Sequence, residues 1–176
     1  MKIHRIGITA LTLMPVLIAP VLIDSAWIGS AAAHKPPSLS IARLTMGTAL
    51  TMAQAAIKDC RRRGYEVAAS VVDRDGVPQV SLRDSLASPL ALRLSIDKAY
   101  TSAMFNKAGT VLEQTHRYAS LATTGGHLVF AGGGVPIEVG GVFYGAIGVA
   151  GTPSGHTDEA CAKAGLAAAR DRLEFQ

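Results

Sequence analysis

The chain lacks the side-chain groupings that most enzymes use for catalysis and that metal sites use for coordination. It has only five histidines and two cysteines, and none of them stands beside another ligand at the spacing of a zinc site. No Gly-x-Ser-x-Gly turn occurs to expose a serine nucleophile. The glycines at 132–134 lead into a predicted strand, whereas a phosphate-binding loop leads into a helix. The sequence therefore supports neither acid–base catalysis nor a nucleotide or metal site.

Aromatic residues are scarce and the charge is nearly balanced. Phe, Trp and Tyr make up 5% of the chain, and the formal net charge is +4. The only basic cluster covers residues 61–63 at the end of a predicted helix, where cations favour the negative end of the helix dipole. A nucleic-acid-binding protein needs a broader basic surface or an aromatic platform. No nucleic-acid partner is therefore predicted.

The chain begins with the layout of a secretory signal peptide, predicted to cover residues 1–33. Lys2 and Arg5 form a basic start, an apolar run covers residues 6–23, and three alanines ending at Ala33 offer a cleavage site. A membrane anchor is the alternative, since about 20 apolar residues can span a bilayer, but two prolines interrupt the run. We predict cleavage near Ala33 and a periplasmic or secreted protein.

A linker at 34–43 and one domain at 44–176 are predicted to follow. The hydrophobic periodicity indicates, in order, a helix, two strands, two helices, three strands and a helix. Tight turns at 73–76 and 140–141 make neighbouring strands antiparallel. The pattern predicts an α+β domain with a single antiparallel sheet of about five strands and helices packed on it.

Local patterns predict the ends and the packing of these elements. Thr110 is predicted to cap a short helix, with Glu113 completing a capping box, and Thr157 is predicted to cap the last helix. Residues 116–126 are interpreted as a long functional loop and residues 128–131 as a strand. Glycines in the last strand predict close packing by the final, alanine-rich helix.

The two cysteines, Cys60 and Cys161, admit two interpretations. An oxidising compartment permits a disulfide, and bridging requires Cα atoms within about 7 Å of each other. Both cysteines, however, lie on the apolar faces of predicted helices, where a free cysteine behaves as a small hydrophobe. We favour two buried thiols over a bridge.

Five sequence blocks resemble the GlcG/HbpS family in order and spacing. They are VAASVVDRDG at 67–76, DKAYTSA at 97–103, GGVPIEVGG at 133–141, GAIGVAG at 145–151 and DEACAKAG at 158–165. The resemblance implies a profilin-like domain that is often oligomeric. Secreted members resemble haem-binding proteins, some credited with haem degradation or with reporting haem to a membrane sensor kinase. The predicted export favours that branch.

The resemblance also implies where haem would bind. The family's iron-contacting threonine lies in a segment equivalent to residues 106–112, which makes Thr110 the candidate ligand and His116 the alternative. Burial of the porphyrin faces would supply most of the affinity, at about 25 cal/mol per Å². Cations would meet the propionates, and the candidates for this role are Lys98, Lys107 and Arg117.

We therefore predict an exported protein that binds haem or a related tetrapyrrole around residues 110–117. A homo-oligomer and a membrane sensor partner are expected from the same resemblance. Three alternatives stay open: an oligomeric accessory or sensor protein without a small-molecule site, a member that binds a corrinoid or another small molecule, and an enzyme that cleaves haem. For the last, the sequence shows no dedicated acid or base.

Overall fold

The computed structural model describes residues 37–124 and 126–175, so the predicted signal peptide lies outside the described residues. The chain divides into two units, Met1–Leu39 and Ser40–Gln176, and every helix and strand below belongs to the second. Residues 37–43, within the predicted linker, form no helix or strand. Arg43 forms ion pairs with Asp73 and Asp75.

The second unit contains five α-helices, one 3₁₀ turn and four strands among the described residues. In chain order they are α1 (Met46–Arg62), β1 (Ala68–Asp73), β2 (Pro78–Arg83), α2 (Pro89–Phe105), α3 (Gly109–Glu113), the 3₁₀ turn His116–Tyr118, α4 (Ala119–Thr124), β3 (Gly134–Val139), β4 (Val142–Ala150) and α5 (Gly155–Glu174). Within residues 37–124 and 126–175, no helix combines the length and hydropathy that crossing a bilayer requires.

The strands form one antiparallel sheet in the order β2-β1-β4-β3, which confirms the predicted α+β class with one strand fewer. The expected strand at 128–131 is wrong. The backbone N–H of Val129 donates instead to Thr101 Oγ1 at 2.8 Å, and that of Gly132 donates to Glu113 at 3.1 Å. Because side chains accept these N–H groups, the segment needs no neighbouring strand.

The predicted glycine hairpin between β3 and β4 is confirmed. Gly140 and Gly141 have φ values of 59° and 78°, the positive values that a two-residue type I′ turn requires at both positions. The start of α2 is also as expected, because Ser88 caps it by accepting from the N–H of Leu90 and Pro89 is its first residue.

Helices cover both faces of the sheet. Alternate residues of β1 and β4, such as Val71, Ile147 and Val149, join the main core with α1 and α5. The residues between them, such as Val72 and Ala146, face α2. This alternation follows from the two-residue period of a strand, and it divides the sheet into a bulky face and a small-residue face.

Of the three glycines at 145, 148 and 151, Gly148 is the one that lies against a helix, and that helix is α2 and not α5, so the expected packing of α5 on these glycines is wrong. A Cβ atom added at Gly148 would lie 2.1 Å from the carbonyl oxygen of Ser95 in α2. On the same face, Ser70 and Ser95 share a buried hydrogen bond of 2.8 Å. The small residues of β4 therefore serve to bring α2 close to the sheet.

The final helix packs most closely on α1. A Cβ atom at Gly165 would lie 2.7 Å from the carbonyl oxygen of Met52. Cys60 and Cys161 form a disulfide between the two helices, with Cα atoms 5.6 Å apart. The expectation of two free thiols is therefore wrong, because this packing brings the two apolar helix faces within bridging distance.

Three other local expectations are also wrong. Ala108, not Thr110, is the N-cap of α3, and α5 begins at Gly155 after Ser154, ahead of Thr157. Residues 116–126 are not a plain loop, because they hold the 3₁₀ turn and α4. The alanines and leucine of α4 have high intrinsic helix propensity, which a loop assignment based on polarity overlooks.

The disulfide predicts a measurable contribution to stability. Cys60 and Cys161 are 101 residues apart in sequence, so the bridge restricts a long loop of the unfolded chain. The double variant Cys60→Ala/Cys161→Ala should lose about 2–4 kcal/mol of unfolding free energy in urea titrations. Dithiothreitol should destabilise the wild type and leave the double variant unchanged. Equal urea midpoints for both proteins would contradict the assignment.

Candidate functional site

Thr110 lies within the first turn of α3 and is bound to the last helix. Its hydroxyl donates to Glu159 Oε1 at 2.9 Å, and its backbone N–H donates to Glu159 Oε2 at 2.8 Å. The Glu159 carboxylate therefore accepts hydrogen bonds from both the hydroxyl and the backbone N–H of Thr110. This engagement explains why the hydroxyl does not cap the helix.

Glu159 is 2% exposed, so its charge needs compensation. Lys163 supplies it, with Nζ 2.8 Å from Glu159 Oε1. Burial alone would raise the pKa of Glu159, but hydrogen bonds from Lys163 and Thr110 and the charge of Lys163 hold that pKa below its ordinary value. Glu159 is therefore a charged, fixed acceptor for Thr110.

Lys98 is a buried residue of α2, and its side chain points towards the start of α5, where Glu159 also lies. Its ammonium lies 2.7 Å from Asp158 Oδ2, and Asp158 Oδ1 accepts the backbone N–H of Thr152 at 3.0 Å. Two predicted site residues, Lys98 and Thr110, are thus bound by neighbouring carboxylates, Asp158 and Glu159. Sequence analysis missed this role, although a consecutive pair of acidic residues near the start of an alanine-rich helix was a signal.

Two further predicted site residues, Lys107 and Arg117, lie on the surface. The side chains of Lys107 and Arg117 are exposed, and the Arg117 guanidinium lies 5.1 Å from the ring centroid of Tyr118. The backbone of His116 belongs to the 3₁₀ turn, while its side chain is outside the described part of the structure. No hydrogen bond or ion pair joins these four described residues, Thr110, Lys98, Lys107 and Arg117, to one another.

Three half-buried rings form what we call the aromatic cluster: Phe105, Tyr118 and Phe130. The ring centroids lie 4.8 Å apart for Phe105 and Tyr118, 5.4 Å for Phe105 and Phe130, and 5.9 Å for Tyr118 and Phe130. These separations are within the range of favourable aromatic pairs. With Arg117 beside it, the cluster presents an apolar surface with a cation at its rim.

Sequence analysis did not identify the aromatic cluster. Its members come from the end of α2, the 3₁₀ turn and the irregular segment before β3, so no single periodic pattern contains them. The available signal was compositional, since the chain has only four phenylalanines and four tyrosines, and three of these eight residues fall between positions 105 and 130.

The fold and the site define a small α+β domain with an aromatic surface and a threonine held by a buried carboxylate. Among the described residues, no group of three or more His, Cys, Asp or Glu side chains is placed to hold a metal ion. A family model described as "Haem degrading protein HbpS-like" matches residues 44–167. The chain belongs to this HbpS-like family, which confirms the family resemblance seen in the sequence.

Solved structures support the same assignment. HbpS is 33% identical, with a TM-score of 0.70, and the match covers 74% of this chain and 93% of that one. A double mutant of Streptomyces reticuli HbpS is 32% identical, with a TM-score of 0.71 and coverage of 87% and 97%. The PduOC:heme complex, at 24% identity, a TM-score of 0.66 and coverage of 72% and 95%, shows the same fold. No curated protein matches the chain.

The buried Glu159 predicts a pH-dependent effect of substitution. Because its folded-state pKa is lowered, its stabilisation is fully present above its ordinary pKa of 4.5 and is lost as the pH falls through the folded value. Glu159→Gln should cost about 1–2 kcal/mol of unfolding free energy at pH 7, and this difference from wild type should shrink below pH ~4.5.

Urea titrations between pH 3 and pH 7 would measure this difference, with Glu174→Gln as the matched control. Glu174 forms an exposed i,i+4 pair with Arg170, so its substitution should change stability by less than about 0.5 kcal/mol at every pH. A Glu159→Gln deficit that is constant over the whole range would contradict the proposed charged state.

Proposed function

We propose that the protein binds haem or a related tetrapyrrole at the aromatic cluster and the neighbouring α3 segment. The observation that carries the proposal is the cluster itself, because three half-buried rings offer apolar surface to a porphyrin face and two of them, Tyr118 and Phe130, lie within 18° of parallel. Membership of a family described as haem-degrading supports it.

The residues around the cluster suit the polar parts of such a ligand. Thr110 would offer its oxygen to the iron, because its proton is donated to Glu159 and its lone pairs remain available. A hydrogen bond to a carboxylate makes a ligand atom more basic. His116 stays the alternative ligand. Arg117 and Lys107 are exposed cations for the propionates, whereas Lys98 is paired with Asp158 and is not proposed for this role.

Bound haem would supply a redox-active iron. Cleavage of the haem itself stays an alternative activity, which the family description favours. Release of free iron in the presence of a reductant would distinguish cleavage from binding alone. A homo-oligomer and a membrane sensor partner also stay predictions from the resemblance.

Haemin titration followed by the Soret band would test the proposal. The wild type should shift the band. Tyr118→Leu should weaken binding by about 2- to 10-fold through the loss of aromatic contact. Thr110→Val, which keeps the side-chain shape, should change the band position if the oxygen contacts iron. Tyr65→Leu is the matched control, because Tyr65 lies outside the cluster at 36% exposure.

Two results would count against this site. A haemin spectrum that the wild-type protein leaves unchanged would exclude haem binding by this protein. Equal affinities for wild type, Tyr118→Leu and Phe105→Leu would leave binding in place but exclude the aromatic cluster. Circular dichroism of each variant would verify that the fold is retained.

We also propose export with cleavage after Ala33. The disulfide supports export, because structural disulfides persist in oxidising compartments. N-terminal sequencing of exported protein should begin at His34. Since signal peptidase requires small residues at the first and third positions before the cut, Ala33→Asp should block cleavage, whereas Ala32→Asp should not. Exported protein that begins at Met1 would contradict the proposal.

A further inference from the structure

A cleft of about 470 Å³ lies between α2 and the β1–β2 turn; we call it the α2 cleft. Its walls are largely apolar, formed by Val77, Pro78, Ile96 and Tyr100, and Asp97 lies among them. Its volume falls within the range of about 300–1,000 Å³ that small-molecule sites occupy, and such sites combine apolar walls with a few polar groups.

One wall of the α2 cleft is fixed by close packing. A Cβ atom added at Gly76 would lie 2.5 Å from a ring carbon of Tyr100, and Gly76 has a φ of +80°. Only glycine satisfies both the turn conformation and the contact with the ring. Tyr100 is therefore seated against the turn, and the cleft is formed before any ligand arrives.

Asp97 provides the second, independent observation. It is 8% exposed, yet its carboxylate accepts no hydrogen bond from the described residues. His127 Nδ1 lies 3.4 Å from Oδ1 and Arg93 Nε lies 3.8 Å from Oδ2, both without hydrogen-bond geometry. Both of these side chains are largely exposed, at 67% and 73%. These two long ion pairs with exposed side chains leave the Asp97 carboxylate able to accept a stronger hydrogen bond from a ligand in the cleft.

We propose that the α2 cleft binds a small amine or amidine with an aromatic body, whose nitrogen donates to Asp97. A cationic donor makes the strongest hydrogen bond to a carboxylate, and a flat body fits against Tyr100 and Ile96. Asp75 also lines the cleft, but Arg43 already pairs with it. The Arg93 side chain is 73% exposed, and the surrounding water weakens its repulsion of a cation in the cleft.

Benzamidine is the probe that tests this site, with binding to the purified protein followed by NMR shifts of Tyr100 and His127. Saturable binding is expected, and benzoate should not bind. Asp97→Asn keeps the side-chain shape and should weaken benzamidine binding by about tenfold or more, the loss expected for a charge-assisted hydrogen bond. Asp75→Asn, the same change at a carboxylate that already has a partner, should stay within about twofold of wild type.

Val77→Lys gives a second variant at a position that is 57% exposed, where folding tolerates the change. It adds a cation to the cleft and should weaken benzamidine binding even if Asp97→Asn does not fold. The proposal is overturned if benzamidine fails to saturate, or if folded Asp97→Asn binds it as wild type does. Displacement of benzamidine by haemin would contradict the proposal that this cleft and the tetrapyrrole site are two separate sites.

Discussion

Two neighbouring buried carboxylates near the start of α5 hold the two helices that carry the candidate site, α2 and α3. Asp158 pairs with Lys98 of α2, and Glu159 binds both polar groups of Thr110 in α3. Lys98 and Asp158 form a buried pair, and removing either one would leave an uncompensated charge and typically cost about 3–5 kcal/mol. The positions of α2 and α3, and hence of Phe105 and Thr110, therefore depend on these two side chains.

The close approach of α2 to the sheet makes this arrangement possible. Because Gly148 has no side chain, the backbone of Ser95 can lie against it. The helix α2 is therefore close enough to the sheet for Lys98 to contact α5. Consecutive residues of a helix point in different directions, so Asp97 faces the α2 cleft while Lys98 faces inward. One turn of α2 thus serves both the interior ion pair and the surface cleft.

The local features that were predictable from sequence are those that one or two residues dictate, whereas contacts between distant elements were not predictable. The glycine hairpin and the Ser88–Pro89 helix start depend on the conformational limits of the residues themselves, and both are as expected. The Cys60–Cys161 bridge depends on which helix faces meet, and hydrophobic periodicity gives only the faces. The aromatic cluster is harder still, because its three rings come from separate elements that share no pattern.

The segment before β3 shows why the candidate site escaped sequence analysis. Its composition is typical of a strand, but side chains of α2 and α3 bind its backbone at Val129 and Gly132. Between these two anchors Phe130 reaches the aromatic cluster, while His127 at the other end lines the α2 cleft. A paired strand would place alternate side chains on opposite faces of the sheet. The two anchors instead fix this irregular segment, so its side chains need not alternate between the two faces of the sheet.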